Sequence, residues 1–282
     1  MFICAELLFI QLQKTGCTHI TQLLNRLFRG RQIGKHNAAS ARQIAESPFR
    51  VASIRNPWDW YVSLWAFGAG GDGALRQRLT SRSVERPAAE CLRRPALFPR
   101  PFVTELRRDV AAWTRAYERH DEVAGFRRWL RMVLDPANAR FLGEGYGELA
   151  VAPAVGYLTH RYLSLCCRAP RRLERCGVIR SFDDLARFER EHCYIDAFVR
   201  QEALEETFCE IVSRVRPLSA EERAMVFSKA QTNTSQRDRP VADYYDAELA
   251  RLVGDRDRLI VERFGYRPPA PARDAVAAVT TA

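Results

Sequence analysis

Apolar residues crowd positions 1–12, give way to Lys14-Thr15-Gly16-Cys17-Thr18, and return at helical spacing as far as Leu24. This pattern predicts a buried strand, a tight turn and an amphipathic helix. The same succession recurs over 51–67. Residues 51–54 form a short apolar run ending in Ile54, as a strand buried in a parallel sheet should be. Asn56-Pro57 stops that strand, and Pro57 suits the first turn of a helix in which Trp58, Tyr61, Val62 and Trp65 recur at helical spacing. Toward the C-terminus, 194–199 reads as a strand and 202–215 as a helix, while 113–134 and 157–167 read as further helices. Another helix begins near Ala38. A glycine-rich break at 68–73 precedes an Arg- and Pro-rich stretch, 74–112, which reads as an insertion or mobile lid, and a second glycine-rich loop spans 143–147. The Ala/Pro-rich tail from 268 is expected to be disordered. Together these elements predict one α/β domain over 1–267, a mostly parallel sheet with helices on both faces. The 69–156 region is expected to carry the insertion or lid and the acceptor site.

Composition changes this picture in two places. Hydrophobic and charged fractions of 47% and 28% over 282 residues are ordinary for a globular chain. The net charge of +10 is not, and it favours an anionic cofactor, an anionic acceptor such as an acidic glycan, or non-specific contact with nucleic acid or membrane. Of the 44 basic residues only three are lysines, and two of them, Lys14 and Lys35, fall in the segments singled out below. No run approaches the roughly 18 apolar residues of a membrane span. The first twelve residues lack a basic start and run directly into the Lys14 turn, so they read as a strand of the fold and not as a signal peptide. A cytoplasmic protein is the expectation. The eight cysteines show no Cys-x-x-Cys pair and no Cys/His metal spacing, so buried free thiols are expected. A bridge from Cys166 or Cys167 to Cys176 is disfavoured in a reducing compartment.

The candidate chemistry sits where strand meets helix. A strand running straight into a helix aims the first N–H groups of that helix, and its dipole, at one point suited to an anion. Gly16 lets the backbone approach a phosphate, Thr15 and Thr18 offer hydroxyls, and Lys14 offers a compact mobile charge. The turn is not a Walker A loop, because the lysine precedes the glycine and the loop is shorter. Arg55 falls at the carboxyl end of its strand, where open α/β sheets bind ligands. Flanked by apolar residues, it needs an anion; with the Ser63 hydroxyl it would grip a phosphate dianion. Trp58, Trp60, Tyr61 and Trp65 read as core. Gly34-Lys35-His36 lies between the two elements, and imidazole is the side chain best poised to accept a proton near neutral pH.

Lys14-Thr15-Gly16 followed by Arg55-Asn56-Pro57 and Ser63 resembles, in order and wording, the sulfotransferases that use 3′-phosphoadenosine 5′-phosphosulfate (PAPS). The resemblance implies a P-loop-like sheet and a first loop, Lys14 to His19 including Cys17 and Thr18, that holds the 5′-phosphosulfate. It implies that Arg55 and Ser63 hold the 3′-phosphate. It further implies that His36 acts as base on the acceptor hydroxyl, with Lys14 and Lys35 stabilising the leaving phosphate. Gln13 stands where the family usually has proline, and Cys17 where it has a smaller or hydroxylated residue. Arg200-Gln201-Glu202-Ala203-Leu204 and Phe264-Gly265-Tyr266 resemble later family segments, and Asn233, Ser235 and Arg237 fall where a loop closes over the nucleotide. The implied reaction is sulfuryl transfer from PAPS to a hydroxyl, more on a carbohydrate than on a small phenol, with no metal. A P-loop kinase or other NTPase and a non-catalytic binder of anionic glycan or nucleic acid are the rivals. The first lacks a Walker A loop ahead of its lysine and an acidic magnesium ligand on a strand, and the second has no use for Lys14 or His36. Positions 68–193 carry no motif that names the acceptor.

Overall fold

The apolar stretch at the start of the chain is two strands, not one. In the computed structural model, which describes residues 1–118, 122–174, 179–228 and 239–269, β1 (Phe2–Cys4) and β2 (Leu8–Ile10) pair antiparallel, with Cys4 N–H donating to Leu7 O at 3.0 Å across the turn between them. Ala5-Glu6 provides the reversal, and the hydrophobic run masked it. A third short strand, β3 (Gly30–Gln32), pairs antiparallel with β1 and is exposed along its length, so it carried no apolar signal. The expected strands appear as β4 (Arg50–Ile54) and β5 (Ala197–Arg200), both parallel to β2 in the order β3-β1-β2-β4-β5. The sheet is therefore mixed: a parallel trio β2-β4-β5 extended by an antiparallel edge.

Both faces of the trio are buried, and the alternation along each strand shows how. Leu8, Ile10, Ala52 and Ile54 belong to one core with Trp58, Tyr61, Trp65, Trp129 and Leu158. Phe9, Val51, Ala197 and Val199 belong to a second core with Ile20, Leu24, Leu204 and Phe208. The first face is covered by α2 (Ala41–Glu46), α3 (Pro57–Ala69) and the helices Glu122–Leu134 and Tyr157–Cys166; the second by α1 (Cys17–Leu27) and Leu204–Ser213. α3 is apolar nearly all round because it lies inside the first core. Trp58, Trp60, Tyr61 and Trp65 are each at most 2% exposed, as their core reading requires, and burying each such ring stabilises the fold by roughly 1.5–3 kcal/mol.

Helix starts follow local chemistry. Ser40 and Gln43 form a capping box that opens α2, and Asn56 caps α3 with Pro57 in its first turn. The Arg/Pro-rich stretch is built, not extended: helices Ala74–Thr80, Glu85–Arg93 and Arg100–Arg107 fill it. The single helix expected over 113–134 is two, Val110–Ala116 and Glu122–Leu134. No helix among the described residues is long and apolar enough to cross a membrane.

Candidate functional site

The loop after β2 is held at every residue. Trp60 Nε1 donates to Gln13 O at 2.7 Å, Arg55 Nη1 donates to Lys14 O at 3.0 Å, and Thr15 Oγ1 donates to Leu12 O at 2.6 Å while sharing a 2.6 Å contact with Ser53 Oγ. These ties keep Lys14 and Gly16 in left-handed conformations, φ 61° and 76°. For a lysine such a backbone costs on the order of 1–3 kcal/mol and persists only where surrounding contacts dictate it. Gly16 is obligatory twice over, since a Cβ there would sit 2.6 Å from Leu204 Cδ1 as well as in a strained φ. α1 begins directly after it with no side-chain cap. Thr15 itself is fully buried and its hydroxyl is committed to the backbone and Ser53, so it shapes the loop and does not offer the ligand hydroxyl expected of it.

The second loop carries Gly34 and His36, again with positive φ, 61° and 54°. His36 Nδ1 lies 3.0 Å from Gln11 O; a carbonyl can only accept, so Nδ1 carries the proton and Nε2 the lone pair. Burial pushes its pKa below the ordinary histidine value, opposed by the Gln11 bond and assisted by Arg161 and Lys35. The imidazole is thus neutral near pH 7. Lys35 beside it is exposed. His19, by contrast, is 2% exposed in the first turn of α1, its Nε2 3.5 Å from Glu205 Oε1. It packs against the helix Leu204–Ser213 through that carboxylate. Cys17 is buried, and burial raises its thiol pKa against the pull of Lys35.

Arg55 follows β4 as expected, but the anion it requires is supplied within the chain. Its Nε and Nη2 each lie 2.7 Å from Asp59 Oδ2, in the first turn of α3. A strand-end arginine followed at i+4 by an aspartate on a helix N-terminus satisfies itself locally, which the apolar flanks concealed. Arg55 therefore braces Lys14 as well as facing the ligand space.

These segments line one cleft of about 1130 Å³ at the carboxyl ends of the parallel trio, with Lys14, Gly16 and Thr18 after β2, Arg55 after β4, and Gln201 and Leu204 after β5. Cys17, His19, Lys35, His36 and Ser63 also line it. Lys14 Nζ lies 4.0 Å from the centre of the Phe67 ring. The Arg-rich stretch adds Arg76, Arg78, Arg82 and Arg86 to the lining, so the cleft is strongly cationic against Asp72, Glu85 and Glu144. Asn233, Ser235 and Arg237 lie outside the described residues.

Arg161 joins the site without having been singled out. It is 3% exposed and lines the cleft from the helix Tyr157–Cys166. Its Nε donates to Gln13 Oε1 at 3.1 Å, Nη1 to Glu144 Oε2 at 2.7 Å and Nη2 to His36 O at 3.3 Å, so one guanidinium ties the first loop to the second. Among the Lys, Arg, Asp and Glu residues, Arg161 alone falls in that helix, and this was the available signal. It also gives Gln13, the departure from proline, a role: proline would have no side-chain carbonyl for Arg161. Comparison of the chain with protein-family models, with curated proteins and with solved structures finds no match in any of the three.

Proposed function

We propose that the protein transfers a sulfuryl group from PAPS to a hydroxyl acceptor, one carried by a carbohydrate. The observation that carries this reading is the convergence on one cleft of the Lys14–Thr18 loop, the Lys35-His36 pair and Arg55 with Ser63, at the carboxyl ends of parallel strands. The residues fit the donor in kind: an uncapped helix N-terminus behind a glycine that leaves no Cβ in the way, two lysines, and an arginine with a hydroxyl for a second phosphate. The P-loop-like character of the sheet belongs to this proposal, resting on the β2-β4-β5 trio.

PAPS supplies an activated sulfuryl group on a phosphate leaving group. The protein does the rest. The α1 N-terminus, Lys14 and Lys35 hold negative charge at the 5′ end, and Lys14 stabilises the charge that grows on the leaving phosphate. Arg55 and Ser63 hold the 3′-phosphate, selecting this nucleotide over ATP. His36, neutral and with its proton on Nδ1, accepts the acceptor's hydroxyl proton at Nε2. Arg161 fixes His36 through its backbone carbonyl, and the arginine-rich lining suits an acceptor bearing acidic groups.

The test is incubation of the protein with PAPS and a set of acidic and neutral glycans, with chromatographic detection of adenosine 3′,5′-bisphosphate and of sulfated product. Acceptor-dependent release of the bisphosphate is expected. Release of phosphate from ATP in place of it would replace the reading with a nucleotide hydrolase.

A further inference from the structure

Two cysteines far apart in the sequence meet outside the cleft. Cys167 ends the helix Tyr157–Cys166, and Cys193 ends the helix Phe182–His192. They face each other in an isolated antiparallel bridge. Arg168 N–H donates to His192 O at 2.8 Å and Tyr194 N–H to Cys166 O at 3.1 Å, one residue to either side. Those two bonds make Cys167 and Cys193 a non-hydrogen-bonded pair, the kind whose Cα atoms stand about 4.5 Å apart with side chains close together. That separation falls inside the window of about 4.4–6.8 Å that a disulfide spans. The bridge disfavoured on sequence grounds, from Cys166 or Cys167 to Cys176, does not involve Cys193, and Cys176 lies outside the described residues.

We infer that Cys167 and Cys193 are a thiol–disulfide site, oxidised by small-molecule disulfides of the glutathione class. The surroundings divide the labour. Cys193 is half-buried, Cys167 is 3% exposed and Cys166 is fully buried. The neighbouring Cys167 thiol lowers the Cys193 pKa, and the Tyr162 hydroxyl lies 3.6 Å and Arg263 Nη2 3.7 Å from Cys193 Sγ; burial and the Glu189 carboxylate oppose them. Cys167 and Cys166 are pushed the other way. Cys193 is then the attacking thiolate and Cys167 the resolving thiol. The Cys193 thiolate attacks one sulfur of the small disulfide, breaking its S–S bond and expelling a thiolate. Cys167 gives its proton to that thiolate and attacks Cys193 Sγ, expelling the second, which takes a proton from water. Two protein thiols are oxidised to one disulfide while the small disulfide is reduced to two thiols.

The experiment incubates the native full chain with oxidised glutathione, blocks remaining thiols, and maps tryptic peptides without reduction. A species joining 162–168 to 191–200, lighter by two hydrogens than the separate peptides and lost on reduction, is expected. It should persist in Cys166→Ser. Cys167→Ser should instead stop at a glutathione adduct on Cys193. Absence of the joined species from the wild-type chain under conditions that glutathionylate its other thiols would overturn the inference, as would a joined species that survives Cys167→Ser.

Discussion

The cleft and the centre of the first core are both rich in polar groups, yet the two are finished in opposite ways. At the core, Asp257 is fully buried and accepts from the Tyr61 hydroxyl at 2.7 Å, the Thr159 N–H at 2.8 Å and the Thr159 hydroxyl at 2.7 Å. Tyr61 in turn accepts from the Tyr157 N–H at 3.0 Å. Burial raises the Asp257 pKa while those donors lower it, and Tyr61 is pushed well above its ordinary value by burial and by Asp257. Every group in this knot points at another group of the chain. In the cleft, α1 starts without a side-chain cap, Lys35 is exposed, and among the described residues His36 spends only Nδ1 on the protein, at Gln11 O. A buried polar cluster closed on itself holds the fold together. One that opens on a cavity, with its side chains braced from behind, has chemistry left to offer.

Replacing His36 should break the open cluster hardest. His36→Ala is expected to lower kcat by about 10²–10⁴, the span of a positioned general base, while leaving adenosine 3′,5′-bisphosphate binding nearly unchanged. The wild-type pH profile sharpens this. Because the His36 pKa is lowered, the neutral base survives below the ordinary histidine value, and activity should fall only as the pH drops under about 6.5. An acid limb well above that would contradict His36 as the base, and full activity in His36→Ala with loss in His19→Ala would move the base to His19. Lys14→Ala should cost about 10²–10³ in turnover at saturating PAPS, read in the same assay. The closed cluster predicts the contrast: Asp257→Ala leaves the Tyr61 hydroxyl and Thr159 N–H without their acceptor. It should destabilise the chain by about 1–3 kcal/mol, seen as a lower midpoint in urea unfolding, and nucleotide binding per folded molecule should stay unchanged.

The parts of this site that were legible in the sequence are those with a local cause. A glycine after a lysine at the end of an apolar run, and Asn-Pro before an aromatic helix, mark strand–helix junctions whatever the tertiary fold. The β1–β2 reversal was hidden because its turn residues, Ala5 and Glu6, are no turn formers, and β3 was hidden because Gly30-Arg31-Gln32 is exposed and polar. Arg55 lines the cleft, but part of the anion its strand-end position called for comes from the chain itself, since Asp59 and the Lys14 carbonyl already orient its guanidinium. Arg161 stood out only as the charged residue of its helix, and its role could not be read from sequence, because that role is defined by Gln13, His36 and Glu144, which are 17 to 148 residues away. Thr15 illustrates the reverse error: a hydroxyl in the right motif whose bonds are turned inward.

The central claim is that Arg55 and Ser63 address a 3′-phosphate while the Lys14 loop addresses the 5′ end. Calorimetry of the wild-type protein with adenosine 3′,5′-bisphosphate, AMP and ATP tests it without knowledge of the acceptor. The account predicts that the bisphosphate binds much more tightly than AMP or ATP and that Arg55→Ala erases the preference over AMP. Equal affinity of the native protein for the bisphosphate and AMP, or tighter binding of ATP, would contradict it.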